Sequence, residues 1–342
     1  LTMNKLTKIG ASALCGSLAA MSAAHAGDLS VTGGADMTWM SKEDANVGNP
    51  IGIGSNLTFS GSGELDNGWS VALTVAHTNA NAYSNTNVVV GIPGLGDIRI
   101  DQGTTGTGID RMDDKTPNVW EEAWGTGLST GIDLVSGTSA GSTIEWTPED
   151  GMLPAGLSAV VAWSPFVGGK NASDKGTSGV STSVLKGGYD VTLTASSEIT
   201  GVEGLSVFAG MSKIDVDQSS TTFGDDKTEE TIGATYAMGG FTFGYQWSEE
   251  ETGRASGATK YENDAYGITF NINDDLSIGY NNYQSEQTNT TNVTAEADSI
   301  QLAYTMGGAS IRIAEADIDN SLYSTAASAD TSATTVSVAL AF

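Results

Sequence analysis

The densest group of chemically capable side chains lies between Asp101 and Gly141. Seven acids occur there, Asp101, Asp110, Asp113, Asp114, Glu121, Glu122 and Asp133, against only Arg111 and Lys115. Carboxylates at this density can transfer protons, hold a metal or set up a negative field. Catalysis finds little support. Glu121 and Glu122 are neighbours and lack the fixed separation that hydrolysis of a glycosidic bond needs. Gly137-Thr138-Ser139-Ala140-Gly141 fits the G-x-S-x-G pattern. That pattern requires a strand–turn–helix and a later histidine, whereas His25 and His77 both precede it. His77 reads as an interfacial side chain rather than a ligand. No phosphate loop, dinucleotide fingerprint or EF-hand spacing is present, so no enzyme activity and no cofactor are expected. Asp215-Val216-Asp217 and Gly224-Asp225-Asp226 could offer oxygens to Ca²⁺, but solvated charge accounts for them. A negative field is what remains.

The elements that must position these acids alternate with period two, the signature of strands. Leu29, Val31, Ala35, Met37 and Trp39 share one face of the first segment, and Ser30, Thr32, Gly34, Asp36 and Thr38 share the other. Sixteen such segments follow one another, over 29–41, 52–65, 69–78, 86–92, 96–101, 142–148, 156–164, 183–198, 204–215, 230–238, 240–248, 262–271, 275–284, 297–305, 308–316 and 332–342. Short Gly- and Asn-rich joins such as Asp66-Asn67-Gly68 and Gly239-Gly240 supply the positive φ of hairpin turns. These alternate with longer polar joins at 42–51, 79–85, 102–141, 165–182, 216–229, 249–261, 285–296 and 317–331, and only 148–156 is stretched on the short side. Sorting long and short connections to opposite ends is what a transmembrane barrel does, and a soluble sandwich has no reason to do it. Closure also satisfies the backbone in lipid. Trp39, Trp69, Trp146, Trp163, Phe241, Trp247, Phe270 and Phe342 fall near strand ends on the apolar parity, where interfacial girdles sit. The predicted fold is therefore all-β, a sixteen-stranded antiparallel transmembrane β-barrel.

The first 26 residues read as an export signal: Met3, then Lys5 and Lys8, an apolar stretch from Ile9 to Ala24, and Ala24-His25-Ala26 at the end. Cys15 lies inside the apolar run after Leu14, which argues against lipidation. Cleavage after Ala26 leaves a barrel domain over 27–342 with no cysteine, hence no disulfide or thiol chemistry. It also leaves 12 basic against 41 acidic residues, or −29. Such a surface repels nucleic acid and attracts cations. Disorder is the other reading of an acidic chain; the 7 Trp, 10 Tyr and 8 Phe, set in alternating segments, argue for a fold.

The residues now assembled resemble a known family, the sixteen-stranded general porins of Gram-negative bacteria, particularly the alphaproteobacterial type. The likeness is carried by Gly27-Asp28-Leu29-Ser30-Val31 as first strand and Gly94-Leu95-Gly96-Asp97-Ile98-Arg99-Ile100 as the strand entering a long third loop. Asp113-Asp114-Lys115-Thr116-Pro117 with Trp120-Glu121-Glu122 is similar to the loop interior, and Thr335–Phe342 to the closing strand. Asp101-Gln102 departs from the family, which often has Gly-Arg there. The resemblance implies a homotrimer of water-filled pores for small hydrophilic solutes, set in outer-membrane lipid, with 102–141 folded inward as a constriction. It also implies that Phe342 serves as an assembly signal to the barrel-assembly machinery.

A 102–141 segment is too long for an idle surface loop. Folded into the lumen, Asp110, Asp113, Asp114, Glu121 and Glu122 would form a screen that favours cations; the alternative is that they are solvated outside it. Strand parity nominates wall charges opposite them: Arg99, Arg312 and Lys186 as bases, Asp36, Glu145 and Asp190 as acids. These pairs could orient polar solutes, or merely pin the loop. The competing function is a structural or adhesive outer-membrane barrel without an open pore.

Overall fold

The computed structural model describes residues 29–42, 49–78, 81–102, 106–169, 183–217 and 219–341. The export segment 1–26 and Phe342 lie outside these described residues. Sixteen strands follow in order: β1 Leu29–Lys42, β2 Ile51–Glu64, β3 Ser70–Thr78, β4 Asn81–Ile92, β5 Gly96–Asp101, β6 Thr143–Pro148, β7 Leu157–Ser164 and β8 Leu185–Ala195. The second half comprises β9 Leu205–Val216, β10 Lys227–Met238, β11 Phe241–Glu251, β12 Lys260–Asn271, β13 Leu276–Thr288, β14 Val293–Met306, β15 Ala309–Asp319 and β16 Thr331–Ala341. Each pairs antiparallel with its sequence neighbours, and β1 closes on β16 with Trp39 opposite Val336. Closure leaves no edge, so every strand finds ladder partners on both sides. No described helix is long and apolar enough to cross a membrane; crossing falls to the strands.

Parity sorts the side chains as the sequence reading expects. Outward positions carry exposed apolar residues such as Leu57, Phe59, Val161, Ile232, Tyr245 and Ile313. Inward positions carry Asp190, Ser212, Gln246, Asn281, Gln301 and Ser337, all buried. A barrel thus inverts the usual arrangement: apolar groups face lipid and polar groups face the lumen.

The outer face is not uniform around the ring. On β16 and β1–β7 no described outward position is Asp, Glu, Lys or Arg. On β10–β15 the loop-side ends place acids directly opposite one another, including Glu230 against Glu249, Glu249 against Glu262 and Asp298 against Asp317. Lys260 bridges part of this arc, reaching Glu249 at 2.6 Å and Glu262 at 3.1 Å.

Several connections differ from the sequence reading; the expected join 285–296, for one, shortens to 289–292 because β13 runs to Thr288 and β14 starts at Val293. The expected strand 183–198 stops at Ala195, and a one-turn helix α1, Ser197–Thr200, follows. Ser196 caps it by accepting from Glu198 N, and Gly201 ends it in the left-handed conformation, so local capping outcompetes strand extension there. The expected long join 79–85 shrinks instead, because β4 begins at Asn81 opposite Thr78. A register shift between Ala76 and Thr78 accommodates the tight return.

Candidate functional site

The described part of the segment joining β5 to β6, residues 106–142, lies inside the barrel, threaded along the inner wall. It contains three 3₁₀ turns, Gly108–Met112, Ala123–Thr126 and Gly137–Ala140. Wall glycines make room for it. A Cβ on Gly244 would sit 2.3 Å from Pro117 Cδ, one on Gly267 2.3 Å from Pro117 O, and one on Gly279 2.7 Å from Val119. Further round, the inward positions of β12 and β14–β16 include several alanines. Ala265, Ala295, Ala297, Ala316 and Ala333 pack with Ala123, Leu128, Ile132 and Leu134 of the loop into a core within the barrel. Side chains of the wall then bind the loop backbone: Gln301 Oε1 accepts from Trp120 N at 2.9 Å, Asn281 Nδ2 donates to Glu121 O at 3.1 Å, and Ser248 Oγ donates to Leu134 O at 3.0 Å. The Tyr283 hydroxyl meets Thr116 Oγ1 at 2.9 Å, and the Trp124 ring sits edge-on to Tyr283 at 4.5 Å.

One group of charges gathers where the loop reaches β15, β16 and β1. Arg312 Nη2 donates to Asp36 Oδ2 at 2.5 Å and to Ser337 Oγ at 2.7 Å. Ser337 Oγ in turn donates to Asp36 Oδ1 at 2.5 Å. The Arg312 guanidinium also lies 4.9 Å from the centre of the Trp120 ring. Glu121 follows directly in sequence. Burial, and then Glu122, push its carboxyl above the ordinary range, while Arg312 opposes that shift. The loop's inward course thus brings Glu121 into the neighbourhood of the wall residues Asp36 and Arg312.

The other nominated residues are placed differently. Arg111 of the loop grips Glu145 of β6 through Nη2 and, at 3.1 Å, through Nε. Arg99 holds Asp101 at 2.6 Å and donates to Gly106 O at 3.3 Å, so it braces the start of the loop. Lys186 pairs with Asp217 beyond β9 at 3.2 Å rather than with the loop acids. Asp110 accepts from Gly106 N within the loop, and burial raises its pKa. Asp113 accepts from Val135 N at 3.4 Å, and burial together with Asp133 pushes it up to about 8. Burial also raises Glu122. Asp114 and Lys115 are exposed.

Sequence reasoning missed Trp120 as a partner of Arg312, Ser337 as the bridge to Asp36, and Glu229 as an anchor for the loop. The recurrent inward alanines of β14–β16 were the available signal, since an alanine row on the polar face marks a surface on which something packs.

The closed antiparallel ring with a long inward loop defines the class, a sixteen-stranded outer-membrane-type barrel. The family model described as Gram-negative porin matches residues 10–311, and the chain belongs to that family. Solved structures share the fold at low identity. The Salmonella typhi OmpF complex with daunomycin superposes with a TM-score of 0.67 at 14% identity, covering 93% of this chain and 98% of the other. The anion-selective porin from Comamonas acidovorans gives 0.64 at 14%, covering 92% and 99%. OmpT of Vibrio cholerae gives 0.61 at 14%, covering 92% and 97%. No protein with a curated description matches this chain in sequence.

Proposed function

We propose that this chain is a passive diffusion porin of the Gram-negative outer membrane, exported by a signal cleaved after Ala26, and that it prefers cations. The observation that carries the reading is the inward position of residues 106–142, bonded from Trp120 to Leu134 along the lumen wall. Small hydrophilic solutes pass the space the loop leaves; no energy source or turnover is involved. Asp114, Glu121, Glu122 and, when ionised, Asp113 and Asp110 supply the negative field, with Arg312 and Asp36 across from Glu121. Resemblance to an anion-selective porin does not decide the sign, because the charges belong to each chain's own loop. A salt-gradient reversal potential tests it. Cation preference at low salt that fades as ionic strength rises is expected, since screening shortens the reach of the loop charges. An anion-favouring potential would refute it.

The working unit is a homotrimer. The uncharged outer face of β16 and β1–β7 supports this, because a protomer seated there meets no charge up to the rim, while the acidic arc of β10–β15 is left to the lipid headgroups. A charged substitution such as Leu57→Lys should release monomers on unheated gels, and Ile232→Lys on β10, directly across the ring, should leave the trimer intact. Equal behaviour of the two variants would count against this face as the contact. Phe342 is assigned the assembly role: its removal should lower the yield of heat-modifiable barrel in cells.

A further inference from the structure

Three wall carboxylates on alternate strands receive backbone N–H groups of the loop. Glu145 on β6 accepts from Gly108 N at 2.9 Å. Glu229 on β10 accepts from Ser136 N at 2.8 Å and Gly137 N at 2.7 Å. Between them, Asp190 on β8 accepts through one oxygen, Oδ2, from Ile109 N at 3.2 Å, Thr138 N at 3.1 Å and Thr138 Oγ1 at 2.8 Å. It therefore ties Ile109 and Thr138, 29 residues apart on the two legs of the loop, to a single atom.

Asp190 differs from its two neighbours in how its charge is met. Glu145 has Arg111, and Glu229 has Lys227 at 2.7 Å. Asp190 is 0% exposed and forms no salt bridge among the described residues. Its other oxygen, Oδ1, is buried beside β9, where Ser212 stands directly opposite in register. Neither Oδ1 nor Ser212 Oγ makes a well-formed hydrogen bond.

The loop is shaped to reach this atom. Gly108 and Gly137 have φ of +58° and +55°, conformations that favour glycine. A Cβ on Gly108 would lie 2.0 Å from Asp190 Oδ2, and one on Gly137 2.6 Å from it. Ile109 then drops beside Gly210, where an added Cβ would meet its Cγ1 at 2.8 Å, and packs with Met112, Val135 and Phe208. Two left-handed glycines, a glycine gap in the wall and an apolar plug all serve the approach to one carboxylate.

We propose that Asp190 is the positioning residue that seats the constriction loop on the β8–β9 wall by accepting hydrogen bonds, and that it adds nothing to the charge selectivity of the pore. Sealed from the lumen, its charge is met by fixed donors rather than by passing ions. Acceptor geometry suffices for the role. In Asp190→Asn the carbonyl oxygen can keep the three donors while the amide finds Ser212 Oγ, an acceptor that is otherwise unused. Asp190→Leu offers no acceptor and leaves two N–H groups buried and unpaired, which is strongly unfavourable. Gly108→Ala reaches the same end from the loop side with Asp190 intact.

The inference rests on the pore reading, and the test separates the two. Wild type, Asp190→Asn, Asp190→Leu and Gly108→Ala are compared in planar bilayers for reversal potential under a KCl gradient and for exclusion of neutral polyethylene glycols of graded size. Asp190→Asn should match wild type in both. Asp190→Leu and Gly108→Ala should lose exclusion of the larger polymers; if the former does not fold, the latter carries the test. A shift of the Asp190→Asn potential toward anions would overturn the inference by showing that its charge reaches the permeating ions. Unchanged exclusion in Gly108→Ala would overturn it by showing that the loop does not depend on this seat. A wild type that carries no current would overturn the pore reading and the inference with it.

Discussion

The Arg312 guanidinium rests 4.9 Å from the centre of the Trp120 ring, while its Nη2 bonds Asp36 across the seam where β1 meets β16. One side chain thus links barrel closure to the loop that narrows the lumen. The linkage is physical, since a cation over an indole face is attracted by the ring quadrupole and a second bond to a carboxylate fixes its orientation.

A double-mutant cycle on this pair measures the linkage. Trp120→Ala and Arg312→Ala should show a coupling of about 1 kcal/mol, the range of partly desolvated cation–π contacts. The readout is the urea midpoint of heat-modifiable barrel in detergent. Additive losses would mean that the loop and the seam are independent.

Loop charge should depend on pH through Asp113, which burial and Asp133 hold at about 8. Below that value the group carries its proton, so cation preference should rise as pH passes from 7 to 9. Asp113→Asn should remove that increment and leave selectivity flat across the window. Stability runs the other way. A folded-state value above the unfolded one gives a contribution that is complete below the ordinary 3.8 and is lost as pH rises toward 8. Denaturation midpoints of wild type should therefore fall over that interval more than those of Asp113→Asn.

Neutralising Asp113, Asp114, Glu121 and Glu122 together should shift the reversal potential toward anions. Asp114 is exposed and the other three lie on the same inward loop. An unchanged potential would place the four outside the path of the ions.

The strands were legible in the sequence because parity is a local property. Each of the sixteen was found near its place, down to the short β5 and β6, since a lipid-facing Ile98 or Ile100 fixes Arg99 as inward without knowledge of anything distant. The helix Ser197–Thr200 was missed because a serine cap and a terminal glycine override a weak alternation. The loop was legible in length and charge, and not in its packing. Asp101 counts as a loop acid by position, yet it is buried on Arg99. Asp190 and Glu145 share inward parity with Asp36, and nothing local reveals that the first two receive loop N–H groups while the third faces Arg312. Such distinctions depend on contacts 37 to 276 residues apart in sequence.

Glycines in the wall give a steric test of the loop's path. Gly244→Ala and Gly267→Ala each place a methyl within 2.3 Å of Pro117. Overpacking of this kind should cost about 1–3 kcal/mol or move the loop off the wall. Heat-modifiability midpoints should fall in both. Gly61→Ala, on β2 at an ordinary φ with only Leu29 Cδ1 at 4.0 Å from its added Cβ, controls for replacing a strand glycine without overpacking. Equal effects in all three would argue that Pro117 does not pack there.

The central claim, an open pore narrowed by a fixed acidic loop, is tested most directly by single-channel recording of the purified protein in a planar bilayer under a KCl gradient. The account predicts ohmic conductance steps and a reversal potential on the cation side that shrinks as salt rises. Insertion without conductance would show the barrel to be occluded, and a salt-independent or anion-favouring potential would remove the loop carboxylates from the selectivity of the pore.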